Sequence, residues 1–335
     1  MDRERGRRAW FHRSQFALVL VLVLVAALVL FSVPSRVADR PPGARTVRNV
    51  AYGPAPVQQL DLYLPAGWGP YPVLVYLHSG GWVAGSHDEI PDFMLDEVAK
   101  GYALAAVDYT LASAAKDDVR GAFPAPNEDV DRAVRYMRAH AATWNLDPSM
   151  IVLAGASAGG NLALLGAVAP GRFAAASLPA DLRAVSPDVE GVMSFVAPSD
   201  LTWLLHYGTP WVAGLTAAYL GCANDDPAMC SEQVAAAASP QTYVHAGIPP
   251  AYFVYGASDT AVPARSQGLS IARAWAAARG ARTAGPPFGH GVYFEVAPAG
   301  HNLDRATVDD VAMNRWLASV RAESAPISRR FAARA

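Results

Sequence analysis

Ser157, Asp259 and His301 occur in an order that could perform nucleophilic acyl transfer. A serine hydroxyl is a poor nucleophile unless a positioned base accepts its proton, and a carboxylate must hold that base in the correct tautomer. Ser157 lies within Gly155-Ala-Ser-Ala-Gly-Gly160. Such a run carries weight only when a strand enters it and a helix leaves it, since the serine then tops a tight turn that admits only small neighbours. Here Ile151-Val-Leu-Ala154 precedes it and Asn161-Leu-Ala-Leu-Leu165 follows. Without those flanks it would be a Gly/Ala turn with an incidental serine. His301 follows Gly300 beyond the last apolar run, and Asp259 ends Gly256-Ala-Ser-Asp259. The ordinary role of such an aspartate is an Asx-turn or a helix cap. Asp200, after the preceding strand, is the rival acid; position favours Asp259.

A second run, His78-Ser79-Gly80-Gly81-Trp82, follows an earlier apolar segment. Glycines let backbone N–H groups turn into a cavity, where each donor to an oxyanion is worth about 10²–10³ in rate. The expected donors are the amides of Gly80, Gly81 and Ala158, with His78 bracing the loop rather than touching substrate. Standing alone, the run could equally be a Gly-Gly turn.

The elements that must position these residues are legible as alternating runs. Strands are expected over 46–52, 58–64, 73–77, 103–109, 150–154, 191–197, 251–255 and 292–296, the first two as an antiparallel pair. Helices are expected over 88–100, 127–144, 263–279 and from His301 to about Arg321. Strands alternating with helices give an α/β fold, a mostly parallel sheet covered on both faces. His78, Ser157, Asp259 and His301 all follow strand ends, so they share the sheet edge where ligands bind in such folds. The segment 200–239 reads as irregular to helical and is a candidate partial cap, or else a satellite hydrophobic cluster under a long loop. Trp82, Trp203, Tyr207 and Trp211 are its candidate pocket residues, with Trp82 contributed by the glycine loop.

A formal charge of −2 provides no field for nucleic acid. No metal site is expected, because the two cysteines, Cys222 and Cys230, have no further Cys or His ligands at suitable spacing. They are disulfide candidates if the domain lies outside the cytoplasm, and free thiols otherwise. Residues 16–33 are apolar apart from Ser32, and Arg3, Arg5, Arg7, Arg8 and Arg13 precede them. That pattern predicts a basic cytoplasmic tail (1–15), a single transmembrane signal anchor (16–33) and a linker (34–45). An extracytoplasmic catalytic domain (46–322) and a flexible tail (323–335) follow. Cleavage of the anchor would make the protein secreted instead.

Taken together, His78 to Trp82, Asp108-Tyr109 with Leu111, Phe123-Pro124 with Glu128-Asp129, Gly155 to Leu162, Ala238-Ser-Pro240, Gly256 to Pro263 and Gly300-His301 form a familiar rhythm. Over about residues 45–320 the chain resembles the hormone-sensitive-lipase-like α/β-hydrolases. The branch it is most similar to holds the acetyl and feruloyl esterases and the kynurenine-formamidase-like enzymes. One departure is Ser79, which stands where the family has the first glycine of His-Gly-Gly-Gly. The resemblance implies an α/β-hydrolase fold, no cofactor, a small-molecule ester substrate, the Ser157/Asp259/His301 triad and an acyl-enzyme intermediate. Two other readings compete with a carboxylesterase: an arylformamidase or other amide or peptide hydrolase on the same triad, and a non-catalytic extracytoplasmic binding module.

Overall fold

The structure, a computed structural model, describes residues 44–112, 121–282, 285, 286 and 288–324. The expected tail, anchor and most of the linker lie outside the described residues, as does the C-terminal tail from residue 325. Among the described residues no helix is long and apolar enough to cross a membrane.

Eight strands form one sheet: β1 Arg45–Ala51, β2 Gln59–Leu64, β3 Tyr71–Leu77, β4 Ala103–Val107, β5 Leu146–Ala156, β6 Gly191–Phe195, β7 Ala251–Gly256 and β8 Val292–Ala297. Their spatial order is β1-β2-β4-β3-β5-β6-β7-β8. β1 and β2 run antiparallel, β2 runs antiparallel to β4, and every later pairing is parallel. The parallel strands are continuous apolar runs because both of their faces are covered. Along β3, Val73, Val75 and Leu77 enter one core cluster, and Leu74 and Tyr76 enter the other.

Helices supply the two covers. α1 (Asp92–Ala99) is followed by α2 (Ala125–Ala139) and α3 (Ala158–Val168), with a single helical turn at Ala180–Arg183. Then come α4 (Leu201–Tyr207), α5 (Pro210–Leu220), α6 (Glu232–Ala237), α7 (Ser270–Ala278) and α8 (Asp310–Ser324). α2, α3 and α7 bury Val134, Leu162 and Trp275 on one face; α1 and α8 bury Phe93 and Leu317 on the other. The segment 200–239 is more regular than its composition suggests. Asp200 caps α4 by accepting from the Trp203 amide at 2.9 Å. Thr209 caps α5, Pro210 occupies its first turn, and Gly221 ends it in the left-handed conformation. All four expected helices differ in their bounds: α1 starts at Asp92, and α2 spans Ala125–Ala139 with a 3₁₀ turn over Ala141–Trp144 after it. Residues 264–269 form a π-turn before α7, and α8 begins only at Asp310, after a turn in which the Asp304 carboxylate accepts from the Ala306 amide.

The sequence of α3 is fixed by how closely it meets the sheet. A Cβ at Gly159 would lie 2.2 Å from the Leu77 carbonyl oxygen and 2.4 Å from that of His78, both immovable backbone. Gly159→Ala should therefore destabilise the chain by about 3 kcal/mol in urea unfolding. By contrast, Gly214 lies inside α5 with open space around it, so Gly214→Ala should stabilise by about 0.5–1 kcal/mol. Similar midpoints for the two variants would contradict this packing.

Candidate active site

β5 runs into Ser157, which sits at φ 52° and ψ −119° before α3 begins. A non-glycine residue at positive φ costs on the order of 1–3 kcal/mol and persists only where its surroundings hold it. Here the Ser157 amide donates to the Phe195 carbonyl at 2.8 Å, and the Asn161 amide donates to the Ser157 carbonyl at 3.0 Å. Ser157 is buried, although its hydroxyl is within reach of a base from the far end of the chain.

The group within that reach is the imidazole of His301. Its Nε2 lies 2.8 Å from Ser157 Oγ, and its Nδ1 lies 2.8 Å from Asp259 Oδ2. An ionised carboxylate only accepts hydrogen bonds. Nδ1 therefore carries the ring proton, and Nε2 is left to accept from the serine hydroxyl. The other oxygen of Asp259 accepts from the Ala261 and Val262 amides at 2.8 and 2.9 Å, and the carboxylate is inaccessible to solvent. Those two amides fix its direction. The rival Asp200 is committed elsewhere, to the cap of α4.

Beside the serine, Gly80 and Gly81 adopt φ of 116° and 61°, where a side chain would be strained. The Gly80 carbonyl accepts from the Val83 and Ala84 amides at 3.1 Å, which closes the turn. Ala158 is the first residue of α3, and the leading amides of a helix have no intrahelical acceptor. The positive end of the helix dipole also lies there. Donors from the glycine loop and from α3 thus belong to adjoining backbone, since Gly159 abuts the carbonyls of Leu77 and His78.

A family model, BD-FAE, matches residues 60–272. The chain belongs to the BD-FAE family. His301 lies beyond the matched stretch, so its place beside Ser157 rests on geometry. Among curated relatives, the chain is 28% identical over 198 residues to a probable carboxylic ester hydrolase, LipM, of Mycobacterium tuberculosis, covering 58% of this chain and 43% of that one. It is 32% identical over 207 residues to the carboxylesterase NlhH of the same species, covering 50% and 61%. The chain spans about half the length of the curated relatives it matches. A truncated carbohydrate esterase from gut microbiota superposes with a TM-score of 0.67 over 82% of this chain and 96% of its own, at 21% identity, which is a likeness of fold. The fold is that of the α/β-hydrolases.

The remaining candidates of this BD-FAE chain fall into three places. Trp82 is a core residue, 3% exposed, stacked on Tyr219 of α5 with ring centroids 4.5 Å apart. Trp203 and Tyr207 pack on each other at 5.6 Å on α4, with Tyr207 71% exposed, and Trp211 is half-buried at the start of α5. Cys222 and Cys230 form a disulfide just after α5. Sequence reasoning assigned no role to Asn161, Ser199, Ser239 or Gln267, which together fasten the base of the segment 200–239. Asn161 Nδ2 donates to the Pro198 and Ala238 carbonyls at 3.1 and 3.3 Å. Gln267 Oε1 accepts from the Ser199 and Asp200 amides, and Ser239 Oγ accepts from the Leu201 amide. Their partners lie on other elements, so spacing along the chain does not reveal the role.

His78 lies beneath the glycine loop. It is buried, its Nδ1 donates to the Ser79 carbonyl at 2.7 Å, and its ring stacks on Tyr109 at 4.2 Å. The Tyr109 hydroxyl in turn donates to the His78 carbonyl at 2.9 Å. Burial pushes the imidazole down from 6.5 to about 4, outweighing the raising effect of its bond to Ser79. The unfolded chain therefore takes up this proton first as pH falls. The contribution to stability is complete above pH 6.5 and is lost progressively down to about pH 4, about 3 kcal/mol in all. His78→Asn should lose less stability across that interval than the parent chain. Equal losses in urea titrations would contradict a buried neutral ring.

Proposed function

We propose that this protein is a serine carboxylesterase acting on small, short-acyl or aryl, carboxylic esters. The observation that carries the reading is the unbroken chain of 2.8 Å contacts from Asp259 through His301 to Ser157. His301 Nε2 takes the proton of Ser157 as Oγ attacks the ester carbonyl. Negative charge gathers on the carbonyl oxygen, where the amides of Gly80, Gly81 and Ala158 receive it. Collapse expels the alcohol, which leaves with the proton held on His301, and an acyl-serine remains. Water, deprotonated by His301, then attacks the acyl group; as the acyl–Oγ bond breaks, His301 returns that proton to Ser157 Oγ, which frees the acid and the serine. Asp259 keeps Nδ1 protonated and balances the imidazolium that forms in each half. The identification of LipM and NlhH as ester hydrolases supports the same reading.

The test is hydrolysis of p-nitrophenyl acetate and longer esters. Ser157→Ala should abolish turnover and leave the unfolding midpoint nearly unchanged. Asp259→Asn should lower kcat by about 10⁴, because an amide in that position favours the wrong tautomer of the histidine. Turnover retained in Ser157→Ala would refute the assignment. Activity confined to formamides or anilides would move the substrate class to amides on the same triad.

We further propose that residues 16–33 anchor the protein in a membrane with the catalytic domain outside the cytoplasm. The Cys222–Cys230 disulfide supports an oxidising compartment. The full chain should stay with membranes through alkaline carbonate washing, and a protease added to intact spheroplasts should release the domain. Recovery in the carbonate supernatant would contradict the anchor.

A further inference from the structure

Two residues of α5, one helical turn apart, engage two successive residues of the glycine loop. Tyr219 stacks flat on Trp82, with an interplanar angle of 4°. Leu215 packs against Gly81 so closely that a Cβ there would lie 2.7 Å from Leu215 Cδ1 and 3.3 Å from Cδ2. The i, i+4 spacing puts both side chains on one face of the helix. They differ in surroundings: Tyr219 is fully buried, and Leu215 is only half-buried.

Tyr219 is tied from several sides. Its hydroxyl donates to Asn127 Oδ1 at 2.8 Å, its carbonyl accepts from the Phe123 amide at 2.7 Å, and Phe123 meets its ring edge-on at 5.9 Å. The helix therefore cannot slide along the loop without breaking buried contacts. The two methyl groups of Leu215 are held at a fixed height over Gly81, whose amide would receive the oxyanion.

We propose that Leu215 is the residue that limits the length of the acyl chain this site accepts. The proposal rests on the ester-hydrolase reading of the same site. An acyl carbonyl whose oxygen reaches the Gly81 amide must place its first carbons within a few bond lengths of the Gly81 Cα. The side chain that a Cβ on Gly81 would meet first is Leu215, and we take it as the wall on that side. Acetyl and propionyl groups stop short of it; a longer chain must displace a leucine whose helix is pinned. A hydrophobic wall discriminates by about 10-fold or more per methylene.

The experiment compares the parent chain with Leu215→Ala and Leu215→Phe, reading kcat/KM for p-nitrophenyl esters from acetyl to octanoyl. Labelling rates of Ser157 by fluorophosphonates carrying methyl to octyl chains are measured alongside, because they report the same pocket without requiring ester turnover. Leu215→Ala should raise the hexanoyl-to-acetyl ratio at least 10-fold, and Leu215→Phe should lower the butanoyl-to-acetyl ratio by a similar factor, with the labelling rates following. Leu215 is half-exposed, so both variants should fold, and circular dichroism checks this. Unchanged ratios in both variants, with turnover intact, would overturn the role of Leu215 and leave the ester reading standing. Chain-length shifts in labelling without any ester turnover would uphold the wall and overturn the ester reading. Absence of both turnover and labelling would overturn both.

Discussion

The site depends on one close approach, that of helix α3 to the end of β3. Gly159 brings two backbones into contact where no side chain fits. Because of this contact, the strained Ser157 and the glycine loop after β3 become neighbours, although 76 residues separate Gly81 from Ser157. The strain at Ser157 is sustained by the hydrogen bonds of its amide and carbonyl and by burial of nearly all of α3. A serine held in this way has little freedom to leave the line between the His301 imidazole and the glycine loop. Much of the entropic cost of aligning it is met during folding.

The same economy governs the other components. Asp259 is oriented by two amides of its own turn, so its direction does not depend on a distant element. His78 is neutral because burial outweighs its bond to Ser79. Stacking on Tyr109 and the bond back from the Tyr109 hydroxyl hold the loop from below. From above, α5 holds it through Tyr219 and Leu215. The segment 200–239 is thereby part of the main body of the fold, sewn to the core at its base by Asn161, Gln267 and Ser239.

Much of this was legible in the sequence, for physical reasons that differ by element. The central parallel strands are short apolar runs bounded by Gly, Pro or polar turns, whereas β1 and β2 show themselves by alternation. Ser157 and His301 were expected to meet because both follow strand ends on one sheet edge, and the structure brings them to 2.8 Å. Asp259 was harder, since Asp200 also follows a strand; only the path of the chain shows that Asp200 serves α4. Trp82 illustrates a limit. It was a pocket candidate from its place after the glycines, and the structure buries it against Tyr219. Leu215 and Gln267 were not visible at all, because their partners lie on other elements and neither belongs to a periodic or spaced pattern.

The central claim is that Ser157 is the activated nucleophile of this chain. It is tested most directly by treating the folded protein with a fluorophosphonate and mapping the adduct by peptide mass spectrometry. The account predicts a single stoichiometric adduct on the peptide containing Ser157, lost when His301 is replaced by alanine. An adduct on another residue, or a chain that stays unlabelled while folded, would contradict it.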